Sequence, residues 1–161
     1  MKRSFFKNAV IPPLSAFLGY QVIWADQVGE RPDGPHATYK ITLPYSKGAG
    51  KPNYTYKTEK DKFLAVSSEN YRATISFSTF SMDDEISQEM AQNIHDWFNF
   101  HGSELLDDLG IVIVEVTDVT NRDAFILEGY ERRYGFDIII RHNRSISKVI
   151  DFFEHIEIER K

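Results

Sequence analysis

The side chains best suited to catalysis in this chain are its five histidines, His36, His95, His101, His142 and His155. His95 and His101 fall in one predicted helix but are six residues apart, whereas side chains on a helix meet at a spacing of three or four. No HExxH pattern occurs, and no cluster of histidines and acids has the spacing of a zinc site. The histidines are therefore expected to be structural or surface residues, and neither a metal nor a cofactor is predicted.

Other catalytic patterns are incomplete. The chain has no cysteine, which excludes thiolate nucleophiles and cysteine-based zinc sites. It has no GxSxG element for a serine nucleophile. Gly50-Lys51 resembles the end of a phosphate-binding loop, but Tyr45 replaces the first glycine of that motif and Pro52 replaces the serine or threonine. No catalytic residue is assigned.

Two carboxylate pairs, Asp83-Asp84 and Asp107-Asp108, remain as candidates for acid–base chemistry. Adjacent residues project in different directions, and both pairs lie at predicted helix ends, where capping and solvation explain them better. A small carboxylate-dependent enzyme would need a pocket that joins His95 or His101 to an acid. The sequence does not favour that alternative.

The length and composition indicate a single soluble domain over residues 1–161. The chain is 42% apolar and 27% charged, which is typical of a globular protein. The apolar N-terminal stretch is interrupted at Pro12-Pro13, so it favours a helix over a secretory signal. No apolar run is long enough to span a membrane.

The first half of the chain predicts one helix and several strands. Leu14, Phe17, Leu18 and Val22 share a helical face, which predicts a helix from Pro12 to Ala25. Apolar residues alternate along 37–45 and again along 70–81, as in half-buried strands. Between these strands, residues 46–62 are predicted to form a protruding hairpin or loop.

The second half predicts a helix from Ser81 or Asp83 to about His101, followed by strands. Its buried stripe is expected at Ile86, Met90, Ile94, Trp97 and Phe98, with Gly102 as the stop. The apolar run 111–117 predicts an interior strand covered on both faces. After a loop at 120–124, strands are predicted at 130–142 and 149–159, with a break at 143–147. The order indicates an α+β fold, a mainly antiparallel β-sheet flanked by two principal helices.

Charge is strongly segregated along the chain. The net charge is -5, yet no lysine or arginine lies between Arg72 and Arg122. The charged side chains of that interval are all acidic: Asp83, Asp84, Glu85, Glu89, Asp96, Glu104, Asp107, Asp108, Glu115 and Asp118. A solvated acidic helix face is one interpretation. The other is a protein with faces of opposite sign, which favours head-to-tail contact between copies.

The stretch YERRYGFDIIIRH, residues 130–142, predicts an amphipathic strand. One side carries Glu131, Arg133, Gly135, Asp137 and Arg141, with Ile139 as the exception; the other carries Arg132, Tyr134, Phe136, Ile138 and Ile140. The charged side is expected to pair within the sheet or across a subunit boundary. The candidate subunit-interface residues are Arg132, Arg133, Asp137, Arg141, Asp83, Asp84, Glu85 and Glu89.

Two segments carry a resemblance to a known family. ADQVGERPDGPHATYKI, residues 25–41, links a first helix to a first strand through a proline-rich crossing, and ERRYGFDIIIRH, residues 131–142, is a late charged strand. With VIWADQ at 22–27, they resemble the neck or tail terminator proteins of tailed phages and prophages. The resemblance follows the order of elements through most of the chain.

This resemblance implies a structural virion protein, made in the bacterial host cytoplasm, with no catalytic residues. Similar proteins form a sixfold ring that caps the tail tube, ends its polymerisation and provides a docking surface for the head-side connector. The implied partners are other copies of the chain, the tail-tube protein, the head-tail connector protein and the sheath. Genome DNA would pass through without sequence-specific binding. The alternative is another morphogenesis component, such as a tail-tube, head-completion or sheath-side adaptor protein.

Overall fold

The computed structural model describes residues 1–29, 32–60, 62–126 and 129–150. The helices are α1 (Arg3–Ala9), α2 (Ile11–Leu18), α3 (Asp84–Asp96) and α4 (Ser103–Asp108), with a π-helical turn (Trp97–His101) between the last two. The strands are β1 (Gln21–Trp24), β2 (His36–Lys47), β3 (Asn53–Glu59), β4 (Lys62–Ser81), β5 (Ile111–Val116), β6 (Thr120–Asn121), β7 (Ala124–Ile126) and β8 (Gly129–Val149).

The sheet is organised around the antiparallel pair of β4 and β8. These strands are 20 and 21 residues long, and they pair from Leu64 opposite Val149 to Ser81 opposite Arg132 without a register shift. The strand order is β1-β2-β4-β8-β5; β3 pairs with β4, and β6 and β7 pair with β8. Among these, only β1 and β2 run parallel. The predicted α+β class with a mainly antiparallel sheet is confirmed.

The core lies between the helices and one face of the sheet, here called the inner face. On β4 the alternate residues Tyr71, Ala73, Ile75 and Phe77 are buried, and on β8 the alternate residues Phe136, Ile138 and Ile140 are buried. From the helices, the same core receives Phe6, Leu14, Met90, Ile94 and Phe98. Because side chains alternate along a strand, the polar residues between these positions form the outer face of the sheet. The predicted alternation on both strands is confirmed.

Helix α3 begins as the sequence predicts. The Asp83 carboxylate accepts hydrogen bonds from the backbone N–H groups of Glu85 (2.9 Å) and Ile86 (3.3 Å), which is N-terminal capping. The predicted stripe is wrong at Ile86, which is 37% exposed. Ser87 is buried in its place, because its backbone carbonyl accepts a 2.8 Å hydrogen bond from the Thr79 hydroxyl on the sheet.

The first predicted helix is too long at its C-terminal end. Helix α2 ends at Leu18 because Gly19 adopts a left-handed conformation, φ 70°, and caps it. Residues 21–24 then form strand β1, which pairs in parallel with residues 36–39 of β2. Val22 is buried there. Val22, eight positions after Leu14, therefore belongs to a strand rather than to the apolar face of the helix.

Among the described strands, β5 lies at the edge of the sheet, contrary to the prediction of an interior strand. Within that part of the chain it pairs only with β8, and the register shifts between Ile113 and Glu115. Ile111 is buried, whereas Val112 is 40% exposed and Val114 is 42% exposed. A continuous apolar run is thus covered on one face only.

The predicted break at 143–147 is also wrong, because β8 continues through it to Val149. Asn143 lies opposite Asn70, and Ser145 lies opposite Ser68. The predicted loop at 120–124 contains β6 and the first residue of β7. For the predicted final strand, residues 151–159 lie outside the described residues.

Gly102 does not end the helical segment in the predicted way. Its φ is -92°, not left-handed, and α4 follows at once. A Cβ at this position would lie 2.8 Å from two ring atoms of Trp97. The absence of a side chain therefore lets the Trp97 indole pack against the backbone. The left-handed glycine of this region is Gly110, φ 65°, between α4 and β5.

Candidate functional site

The structure brings the two groups of candidate interface residues close together within one chain. Helix α3 packs across the start of β8, where the Ser87 hydroxyl lies within hydrogen-bonding distance of two backbone carbonyl oxygens, those of Thr79 (3.3 Å) and Arg132 (3.4 Å). The Tyr134 hydroxyl donates to the Asp84 carboxylate at 3.3 Å. The acidic N-terminus of α3 therefore lies beside the arginine-rich end of β8, not on a remote face.

Arg132 forms an ion pair with Asp123, with 2.9 Å between Nη1 and Oδ2. The other carboxylate oxygen accepts a 2.7 Å hydrogen bond from the backbone N–H of Arg133. This backbone donor, together with the Arg132 guanidinium, holds the pKa of Asp123 below its ordinary value of 3.8. Asp123 thus fastens the segment between β6 and β7 to the first part of β8.

Arg122 lies across the outer face of the sheet and contacts Asp137. Its Nη2 is 3.3 Å from the Asp137 carboxylate, and its Nη1 donates to the Ser76 hydroxyl at 2.9 Å. Gly135 makes room for it, because a Cβ there would lie 3.0 Å from Arg122 and 2.4 Å from the Phe77 carbonyl oxygen. Within the described residues, Asp137 is thus engaged inside its own chain.

The sequence does not predict the role of Arg122, because its pattern assigns residues 120–124 to a loop. One sequence signal does exist. Gly135 and Asp137 lie two apart on one side of a strand, and a glycine inside a strand often marks a close approach by another group. That pattern indicates an overlying residue, although it does not say which one.

Arg133 packs on the outer face as part of a row across three strands. His36, Phe80 and Arg133 are register partners on β2, β4 and β8. The His36 ring stacks on Phe80, with centroids 5.2 Å apart, and the Arg133 guanidinium lies 4.7 Å from the centroid of the Phe80 ring. This row buries an aromatic residue on the outer face.

Arg141 differs from the other arginines of β8. It is exposed and lies directly opposite Arg72, also exposed, on β4. Like charges directly opposite each other in a sheet are unfavourable. No ion pair of Arg141 occurs among the described residues. On α3, Glu85 and Glu89 are likewise exposed.

The histidines of the described residues make ring, backbone and side-chain contacts; His95 lies 3.4 Å from the carboxylate of its exposed neighbour Asp96. His36 and His142 each direct Nδ1 to a backbone carbonyl, of Gly34 and Gly110 respectively, at 2.9 Å. His95 meets the edge of the Phe136 ring, and His101 packs against Phe17. His155 lies outside the described residues. In the part of the chain that the structure describes, no three His, Asp or Glu side chains are grouped as metal ligands.

Comparison with models of protein families gives a match that covers nearly the whole chain. The model of a family described as phage neck terminator protein matches residues 4–161. The chain belongs to the phage neck terminator family. Comparison with curated proteins gives no significant match.

Family membership confirms the resemblance seen in the sequence and gives the general role of this neck terminator protein. The family is one of structural proteins of the phage neck. Its place is the tail or neck of the virion, in contact with other head or tail proteins. Among the described residues, no helix has the length and apolar character needed to cross a membrane.

Replacing Gly135 with alanine tests how Arg122 packs against β8 in this neck terminator protein. The new Cβ would collide with the Phe77 carbonyl and crowd Arg122, so we expect Gly135→Ala to lower the free energy of unfolding by about 1–3 kcal/mol. Urea denaturation measures this change. Gly29→Ala is the control, because among the described residues no atom beyond its chain neighbours lies within 4 Å of its new Cβ. Equal stability of the two variants would contradict the packing described.

Replacing Asp123 with asparagine tests the charged contact to β8. Since the pKa of Asp123 is depressed by folding, its charge stabilises the protein above the unfolded pKa near 4 and loses this effect as pH falls through the folded value. We expect Asp123→Asn to cost about 1 kcal/mol at pH 7, where charged hydrogen bonds are lost. Urea denaturation at pH 7 and near pH 3 should find a smaller difference from wild type at the lower pH. A difference that grows on acidification would refute the assignment.

Proposed function

We propose that this neck terminator protein forms a hexameric ring on the last ring of the tail tube. The ring ends polymerisation of the tube and provides the docking surface for the head-side connector. Genome DNA passes through the central opening without sequence-specific binding. The chain is made in the cytoplasm of the bacterial host and becomes part of the virion neck. In a contractile tail, the sheath is a further partner.

The observation that carries this proposal is the family match over residues 4–161. A protein that ends a tube has to bind the tube on one side and the head structure on the other, and it has to contact its own copies laterally. The segregated charge supports such lateral contact, since ten acids and no lysine or arginine lie between Arg72 and Arg122. Heterologous contacts between faces of opposite sign close into rings when the rotation allows it.

The candidate interface residues divide by their contacts within the chain. Arg132 and Asp137 form ion pairs inside the described chain, and Arg133 packs on Phe80. We therefore propose that the main role of these three side chains is to stabilise the fold, and that any contact with another subunit is secondary. Asp83 caps α3, and Asp84 accepts from Tyr134, which puts both in the same class. We assign Arg141, Glu85 and Glu89, which are exposed, to contacts between subunits.

Deleting the gene from its phage or prophage tests the proposal against the neighbouring roles in the neck. Loss of a terminator leaves tube polymerisation without a stop, so electron microscopy should find overlong tubes of variable length. Supplying the wild-type gene in trans should restore tubes of uniform length.

Two other outcomes would contradict the proposal. Absence of tubes would assign the chain to the tube itself, and tubes of normal length without heads would assign it to a later joining step. Purified chain added to polymerising tail-tube protein gives the matching test in solution, in which a terminator shortens the tubes.

A further inference from the structure

The β4–β8 pair continues beyond the core and forms a projecting arm with β3. We define the arm as residues 48–60, 62–70 and 143–149. In it β4 is central, with β3 on one side and the end of β8 on the other. No residue of the arm is buried. At the usual rise per residue, the ribbon extends about 25 Å past Asn70 and Asn143.

One face of the arm is rich in apolar side chains, although it projects into solvent. The register places Tyr54, Ser67 and Ile146 in one row across the three strands, and Tyr56, Ala65 and Lys148 in the next. Tyr54 and Tyr56 are each 65% exposed, and Ile146 is 55% exposed. We call the residues Tyr54, Tyr56, Phe63, Ile146 and Lys148 the aromatic face. Contiguous exposed apolar surface of this kind marks an interaction site.

The arm is also basic. Its described residues contain six basic side chains and two acidic ones: Lys51, Lys57, Lys60, Lys62, Arg144, Lys148, Glu59 and Glu69. Asp61, which lies outside the described residues, adds a third acid in the sequence. The two described acids lie near cations of the arm itself, Glu59 at 3.0 Å from Lys57 and Glu69 at 3.9 Å from Arg144. The net charge of the arm is therefore positive.

A surface with the complementary properties lies at the opposite edge of the same sheet. We define the acidic edge as Asp107, Asp108, Val112, Val114 and Glu115, all of which are exposed. The two aspartates occupy the last turn of α4, where a helix favours cations rather than anions. Next to them, β5 exposes two valines on a strand whose outer edge has no partner among the described strands. Apolar residues and negative charge thus occur together.

We propose that the aromatic face of the arm binds the acidic edge of a second copy of this chain. This inference rests on the proposed function and adds one pair of surfaces to the subunit contacts assigned above to Arg141, Glu85 and Glu89. Charge complementarity selects a second copy as the occupant: a basic apolar ribbon meets an acidic apolar edge that every copy carries. Because the two surfaces differ, the contact is heterologous, and repetition of it gives a ring when the rotation between copies closes.

The two surfaces cannot meet within one chain. In the sheet, β3 and β5 are separated by β4 and β8. They are also displaced along the strands, since Tyr56 lies level with Lys148 on β8, whereas Val112 lies level with Arg141. At the usual strand spacing and rise, Tyr56 and Val112 are more than about 20 Å apart. Binding of the arm to the acidic edge therefore requires another subunit.

Two variants, each lacking one surface, test the inference. The arm variant carries Tyr54→Ser and Tyr56→Ser, with Thr55→Ala on the opposite face of β3 as its control. The edge variant carries Asp107→Lys and Asp108→Lys, with Asp26→Lys and Asp33→Lys, which lie outside the acidic interval, as a control of equal charge change. All these side chains are exposed, so we expect each variant to fold. Circular dichroism and urea denaturation verify that it does.

Assembly is measured by sedimentation velocity of the chain alone and by capping of isolated tail tubes. We expect each of the two variants to assemble at least about tenfold more weakly than wild type, as for loss of central interface residues, and the controls to assemble normally. Added salt should weaken wild-type assembly, since opposite charges contribute to it.

Mixing the two variants gives the sharpest result. The edge variant keeps an intact arm, and the arm variant keeps an intact edge, so together they should form one-to-one heterodimers and nothing larger. A single contact lacks the gain from ring closure, so mixing is done at the highest soluble concentration. Absence of heterodimers, or normal assembly of either folded variant, would overturn the inference.

The outcomes separate this inference from the proposed function. If wild type caps tubes and the folded arm variant caps them equally well, the arm contact is wrong and the terminator function stands. If wild type neither self-associates nor caps tubes, the proposed function fails, and the inference fails with it.

Discussion

The unbroken register between β4 and β8 is the constraint on which the rest of this protein depends. Side chains alternate along a strand, so a slip of one residue would turn Ile75, Phe77 and Phe136 out of the core. One continuous pairing fixes the face that the helices cover. The same two strands continue past the core, where β4 also pairs with β3, so the arm is an extension of the most buried part of the sheet. The continuous pairing sets the direction in which the arm presents its aromatic face.

The outer face of the sheet shows how charge serves both folding and surface chemistry. Arg122 reaches Asp137 because Gly135 leaves space above the strand, and Arg132 reaches Asp123. These contacts fasten residues 120–123 to β8. The remaining charge is segregated by region, with an excess of cations on the arm and only acids between Arg72 and Arg122. Pairing inside the chain therefore uses some arginines of β8, while Arg141 stays exposed opposite Arg72.

Local patterns in the sequence predict the elements whose two faces differ. Alternation along 71–77 and 136–140 places the inner face of both central strands correctly, and Asp83 with the acids after it marks the start of α3. The failures occur where a partner decides the outcome. Residues 111–116 are apolar throughout, but their position at the edge of the sheet follows from the strand order. Residues 143–147 are polar enough to suggest a break, yet β4 supplies partners for each of them.

The residues of the candidate site likewise divide into those that local sequence patterns predict and those that depend on a distant partner. Its charged residues could be found from the sequence, because charge and strand face are local properties. Their partners Arg122 and Asp123 lie in a segment that has no periodicity of its own. The edge position of β5 and the exposure of the arm depend on the whole topology, and so does the pairing of the two surfaces in the inferred contact.

Hydrogen exchange of the backbone amides on the monomer tests the continuous β4–β8 pairing most directly. The backbone N–H of Ile150 donates to the Phe63 carbonyl at 2.9 Å, so alternation directs the amides of Arg144, Ile146 and Lys148 toward β4 and those of Ser145 and Ser147 away from it. We expect slow exchange for the first three amides and fast exchange for the two serines. Equally fast exchange at all five positions, with the core protected, would mean that the strands part at Asn143 and that the arm is not an extension of the sheet.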